Sequence, residues 1–152
     1  MLNEVNSKIT IEHLLTMTSG LDWREWNVPY SSTDNDVIGI WFSEKDPISY
    51  ILEKPSIHEP GIHFTYSGGD IITLGEILRY AAGTDIEEFS EKYLFEPLGI
   101  SSFNWWNKFE NGVIECAGCL ELTPRDMVKI GVTFLNNGIW DGNRLISKQW
   151  IE

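Results

Sequence analysis

The residues best placed to do chemistry lie in Pro60-Gly61-Ile62-His63-Phe64-Thr65-Tyr66-Ser67-Gly68-Gly69-Asp70. A Pro-Gly turn leads into a short strand-like run that ends in Tyr-Ser-Gly-Gly. An apolar segment of helical period follows at once through Ile71, Leu74, Ile77, Leu78 and Ala81. Tyr66 is thereby set on a tight loop at the mouth of a helix, with glycines that let other backbone or a ligand approach closely. A phenol whose pKa is lowered by nearby cations can take a proton as a general base and return it as an acid. The same pattern also fits a packed aromatic with a bonded hydroxyl, so the flanking residues have to decide.

The second chemical candidate is Cys116-Ala117-Gly118-Cys119. A zinc site needs about four ligands, yet the chain has no second cysteine pair, and His13, His58 and His63 are not grouped as ligands would be. The segment also lacks the strand-then-helix context of a dithiol redox site. Two reduced thiols at a turn are the expectation, with no metal and no cofactor.

The elements that must position Tyr66 read as mainly α with a small β-hairpin. Thr10 caps a helix whose face is Ile11, Leu14 and Leu15, with Gly20 as its stop and His13 structural. Residues 21–36 form a long ordered loop pinned by Trp23, Trp26 and Tyr30. A short helix follows at Val37, Ile40 and Trp41. Asp46-Pro47 opens another, with Ile48, Ile51 and Leu52 inside and Lys54-Pro55 as its end. The helix after Tyr66 runs from about Asp70 to Ala82 and closes at Gly83. Asp85 caps the next, with Ile86, Phe89, Tyr93 and Leu94 inward. Residues 103–122 are the β-rich patch, turning at Glu110-Asn111-Gly112. Thr123-Pro124 starts a helix with Met127, Ile130, Phe134 and Leu135 on its inner face, ended by Asn137-Gly138, and Ser147 opens one more.

At 152 residues and 42% hydrophobic content, the chain suits a single domain spanning 1–152 with a real core. Its 23 acidic against 11 basic residues give a charge of −12, which excludes nucleic acid as a partner. No apolar run approaches the ~18 residues of a membrane span, and the N-terminus lacks an apolar signal core, so the chain as it stands reads as cytoplasmic. Seven tryptophans exceed what a core of this size hides, so a homo-oligomer through exposed apolar surface is expected.

Several stretches in order resemble one family. Residues 9–21, Ile-Thr-Ile-Glu-His-Leu-Leu-Thr-Met-Thr-Ser-Gly-Leu, are similar to its phrase "ITIRHLLTHTSGL". Pro60-Gly61 through Tyr66-Ser67 and on to Leu74-Gly75-Glu76-Ile77 resembles "PGxxFxYSNxxxxLLGEII". Phe95-Glu96-Pro97-Leu98-Gly99-Ile100 resembles "FEPLGM", and Gly118 to Met127 resembles "GGLxxTPRDMAKF". The family is the serine β-lactamase-like hydrolases, comprising class C β-lactamases, DD-peptidases and related esterases and amide hydrolases. The loop with Trp23, Trp26 and Asp34-Asn35-Asp36 is most like the esterase and 6-aminohexanoate-dimer hydrolase branch.

The resemblance implies the helical region of a β-lactamase/transpeptidase-like fold with its central sheet missing. It implies acyl transfer on a small-molecule ester, amide or β-lactam, through a serine activated by the lysine of Ser-x-x-Lys. Tyr66 carries over as the proton-shuttling tyrosine, with Ser67, Gly68 and Trp106 as substrate contacts. Gly68 stands where the family usually has Asn, so that corner of the site is altered or supplied from elsewhere. No lysine has a serine three residues before it: Lys8 follows Val5, Lys45 follows Phe42 and Lys92 follows Phe89. Lys-Thr-Gly and His-x-Gly are absent too. The expectation is therefore a fragment, inactive alone, whose nucleophile lies outside residues 1–152. The alternative is a non-catalytic binding or interaction module derived from the family.

Overall fold

The structure, a computed structural model, describes residues 4–152. Helix starts are set by side chains that accept orphan backbone N–H groups. α1 (Ile11–Leu15) is capped by Thr10, whose Oγ1 accepts from His13 N at 3.2 Å while His13 Nδ1 accepts from Thr10 N at 3.2 Å. His13 is thus part of the cap. The helix closes at Thr16, earlier than the sequence suggests, and of its expected face only Leu14 is buried. Gly20 has another task. Residues 17–22 run antiparallel against the 55–65 loop, and a Cβ on Gly20, at φ +80°, would sit 2.3 Å from His58 O.

α2 (Asp36–Gly39) is followed by a 3₁₀ turn, Ile40–Phe42, and then by α3 (Pro47–Leu52), with Asn35 and Asp46 as caps. α4 (Gly68–Ala82) is the longest helix among the described residues, and it begins two residues before the expected start at Asp70. Ser67 Oγ accepts from Asp70 N at 3.1 Å, which draws Gly68 and Gly69 into the first turn. Gly83 closes it, as expected.

α5 (Ile86–Ser90) runs on into a π-helical turn, Glu91–Phe95. The wider turn shifts the inward face along the chain. Phe95 is buried there, whereas Tyr93, expected inside, is exposed.

β1 (Phe103–Trp105) pairs antiparallel with β2 (Leu120–Leu122), Phe103 opposite Leu122 and Trp105 opposite Leu120. The expected turn closes between them, with Phe109 N donating to Val113 O at 2.8 Å. α6 (Pro124–Leu135) starts at its Thr123 cap. A second hairpin, unanticipated, joins β3 (Ile139–Trp140) to β4 (Asn143–Arg144) across Asp141-Gly142, both at positive φ. Asp-Gly is a strong signal for this two-residue turn. α7 (Lys148–Ile151) ends the described chain. The protein is mainly helical with two small antiparallel sheets.

Two apolar clusters hold these elements. Leu21, Trp23, Ile40, Ile51, Ile72, Phe109 and Val113 form the first, around the N-terminal half of α4. Phe95, Leu98 and Ile100 form the second, with β1, β2, Ile130 and Trp140 packed round them. Of the face expected to point inward on α6, Ile130 alone reaches a core. Met127, Phe134 and Leu135 are exposed, and Thr133 is buried instead. The 21–36 loop is likewise pinned differently: Trp23 is buried, but Trp26 is 76% exposed and Tyr30 is exposed too. Asn35 does the closing, its Nδ2 donating to Glu25 O at 3.0 Å and Val28 O at 2.8 Å.

Asp36 anchors the far end of that loop. Its Oδ2 accepts from Arg24 N at 2.7 Å, and its Oδ1 accepts from Tyr50 OH at 2.7 Å and from Lys54 Nζ. Burial first, and then the bond to Asp36, raise the Tyr50 phenol above its ordinary value. Asp36→Ala leaves a half-buried ammonium and a half-buried hydroxyl without their acceptor, and should lower the unfolding free energy by about 2 kcal/mol in urea. A loss under about 1 kcal/mol, the range of a solvated pair, would contradict this assignment.

Candidate functional site

Thr65 N donates to Met17 O at 2.9 Å, so the residue before Tyr66 is stitched to the turn after α1. The residue after it, Ser67, caps α4. Tyr66 therefore stands between two fixed backbones with its side chain 40% exposed. Its ring tilts at 60° against Trp26, centroids 5.6 Å apart. These two rings, with Trp23, Val28, His63 and Phe64, line an open cavity of about 620 Å³. The His63 ring lies 4.3 Å from that of His58 at the same rim.

The cavity also contains an acid that the sequence reading passed over. Glu25 Oε2 accepts from Trp23 Nε1 at 2.8 Å and from Gly68 N at 2.7 Å, and Oε1 accepts from Tyr30 OH at 3.1 Å. Glu25 is only 6% exposed. Burial, and then the charge of Glu25, raise the Tyr30 hydroxyl above its ordinary value. A Cβ at position 68 would lie 3.0 Å from Glu25 Oε2. A side chain at 68 would therefore crowd the carboxylate by a few tenths of an ångström. An acid set between Trp23 and Trp26 in an aromatic loop was the available signal for it.

Of the expected site residues, Tyr66, Ser67 and Gly68 come together at the start of α4, and Tyr66 alone lines the cavity. Ser67 is buried with its hydroxyl committed to Asp70 N, a use that its spacing to Asp70 foreshadows. Gly68 contributes its backbone to Glu25. Trp106 is exposed outside this cavity, its N donating to Cys119 O at 3.2 Å. Cys116 Sγ donates to Ile71 O at 3.3 Å, and burial, then Glu115, push its thiol up to about 11. Cys119 is exposed, and both cysteines are free thiols. No group of three or more His, Cys, Asp or Glu among the described residues is arranged to hold a metal ion.

One turn past Tyr66, Asp70 is wholly buried, and no hydrogen bond of ordinary geometry reaches its carboxylate oxygens. Burial pushes its carboxyl up to about 6, with Ser19 and Ser67 pulling it back only in part. The folded protein therefore holds this proton more tightly than the unfolded chain. The associated stability is complete below about 3.8 and is lost as pH rises through about 6. Asp70→Asn mimics the protonated form. In urea unfolding it should stabilise the protein by about 1–3 kcal/mol at pH 7.5 and by almost nothing near pH 4. Equal effects at both pH values would refute the assignment.

The Beta-lactamase family profile matches residues 2–131 of the chain. Over 97 residues the chain is 34% identical to the ML-236A carboxylate methylbutanoyltransferase of Penicillium citrinum, covering 64% of this chain and 23% of that protein. It is 23% identical over 137 residues to the lovastatin esterase of Penicillium rubens, covering 86% of this chain and 32% of the esterase. Among solved structures, a candidate 6-aminohexanoate-dimer hydrolase from Bacillus anthracis superposes with a TM-score of 0.79 at 18% identity, over 95% of this chain and 40% of that one. Simvastatin synthase from Aspergillus terreus superposes at 0.67 and 21% identity, over 94% and 40%. The chain thus spans 23% and 32% of the length of these two curated relatives, and the structural likeness establishes the fold. The expected resemblance to the helical region of a β-lactamase/transpeptidase-like fold is met. Matched by the profile over most of its length and folded as these structures are, the chain belongs to the Beta-lactamase family.

Proposed function

We propose that residues 1–152 form the helical part of a serine hydrolase or acyltransferase domain, with Tyr66 as its proton shuttle. The observation that carries this reading is the placement of Tyr66, held between two fixed backbones at the edge of an aromatic cavity. In the reaction, a serine oxygen attacks the carbonyl of a small-molecule ester, amide or β-lactam. Tyr66 takes the hydroxyl proton and returns it to the departing alcohol or amine. The names of the methylbutanoyltransferase and the esterase among the relatives support acyl chemistry. Ser67 and Gly68 serve through backbone and cap geometry, while Trp106 enters as an outer wall on its exposure alone.

The chain carries no serine three residues before a lysine, and no cation pairs with the Tyr66 hydroxyl among the described residues. A phenol needs such a cation to act as a base. The nucleophile and its lysine are therefore assigned to polypeptide outside residues 1–152. Alone, the chain should not hydrolyse nitrocefin or p-nitrophenyl esters above buffer, and Tyr66→Phe should change nothing. Grafted in place of the matching region of an active relative, it should support turnover that Tyr66→Phe lowers by about 10²–10⁴-fold. Turnover by the isolated chain that Tyr66→Phe abolishes would overturn the assignment. A folded graft whose activity ignores Tyr66→Phe would favour the non-catalytic module.

We also propose that the isolated chain self-associates. Met127, Val128, Phe134, Leu135 and Trp150 are all exposed, and Leu135 is 81% accessible. Large apolar side chains left exposed in this number are the surface that association covers. Light scattering should show a dimer or larger assembly at micromolar concentration, and Leu135→Glu should shift it toward monomer. A compact monomer throughout would count against it.

A further inference from the structure

We propose that the cavity beside Tyr66 is a binding site for an alkylammonium group, held between the Glu25 carboxylate and the faces of Trp26 and Tyr66. Glu25 is buried, and its hydrogen-bond partners are neutral donors: the Trp23 indole, the Gly68 amide and the Tyr30 hydroxyl. A carboxylate offers about four acceptor positions, so these donors leave one, on Oε1. A buried carboxylate without a cation is costly, and no ion pair reaches Glu25 among the described residues. The cations of the loop and of the helix it packs on are committed elsewhere. Arg24 lines the cavity but turns to Asp22 at 3.3 Å, and Lys54 binds Asp36.

The walls suit the same ligand. Trp26 is 76% exposed, and its ring leans on Tyr66 across the opening. Aromatic faces attract ammonium groups, most strongly where water is excluded. A neutral apolar group would fill the cavity as well but would gain nothing from Glu25. An anion would be repelled by it, and by a chain of charge −12. Gly68 suits the arrangement, because a Cβ there would crowd the Glu25 carboxylate at 3.0 Å. The ammonium has two possible sources: an amine-bearing small molecule, or a lysine side chain supplied by other polypeptide.

The test reads binding, not turnover, so it fails or succeeds separately from the acyl-transfer reading. The indole N–H resonances of Trp23 and Trp26 in the 152-residue chain are followed by NMR. The probes are n-butylammonium, benzyltrimethylammonium and the neutral 1-pentanol. The ammonium probes should move both resonances and bind at least about 5-fold more tightly than the alcohol. Glu25→Gln should erase that preference. Should Glu25→Gln fail to fold, Trp26→Leu at its exposed position should weaken ammonium binding more than alcohol binding. Tighter binding of n-butylammonium than of the bulky cation points to a lysine, and the reverse points to a small molecule. Equal affinity for alcohol and ammonium, or no shift of either resonance up to the solubility limit, overturns the proposal.

Discussion

The hydrogen bond from Gly68 N to the Glu25 carboxylate, 2.7 Å long, is the junction on which the region around Tyr66 depends. A helix begins with N–H groups that have no partner within it. At α4 these are met by Glu25, from a loop more than forty residues upstream, and by Ser67. A carboxylate there also lies at the positive end of the helix dipole, where negative charge is favoured. Because Glu25 also holds the Trp23 indole and the Tyr30 hydroxyl, one group ties the aromatic loop to the start of the helix. Tyr66 precedes that start by two residues. Its position is set by both neighbours at once.

The same helix end carries a second acid in a contrasting environment. Glu25 is surrounded by donors, whereas Asp70 is buried without one of ordinary geometry. Desolvation therefore dominates at Asp70 and favours its protonated form. Two buried carboxylates at one helix end thus differ in their hydrogen bonding, three donors meeting Glu25 and none of ordinary geometry meeting Asp70. Asp36, at the other end of the loop, shows a third solution, a buried acid matched by an ammonium, a phenol and a backbone amide.

The two apolar clusters explain how a chain with small sheets stays folded, and α6 shows what they leave uncovered. Its N-terminal cap is satisfied by Thr123, and Ile130 seats it against the second cluster. Met127, Val128, Phe134 and Leu135 of the same helix stay exposed. Helical period identifies residues that share a stripe, but two stripes on α6 were available, and packing of Ile130 on the second cluster, with the helix set against β3, goes with the one that includes Thr133.

Local chemistry made much of this protein legible from sequence. Thr10, Asp46, Asp85, Thr123 and Ser147 all cap the helices they were expected to cap, because capping needs only a short polar side chain and the amides just after it. The Glu110-Asn111-Gly112 turn and the Gly83 stop were equally local, and the family phrases around Tyr66 identified the fold. What sequence could not supply were pairings between distant segments. Gly20 is required by His58, α4 begins where Ser67 and Glu25 meet its amides, and the π-helical turn redirects Phe95 inward. Glu25 looked like one acid among many. Only the tertiary structure brought it against Gly68 and turned an absent side chain into space for a buried carboxylate, since that contact joins positions far apart in the chain and leaves no periodic trace in either.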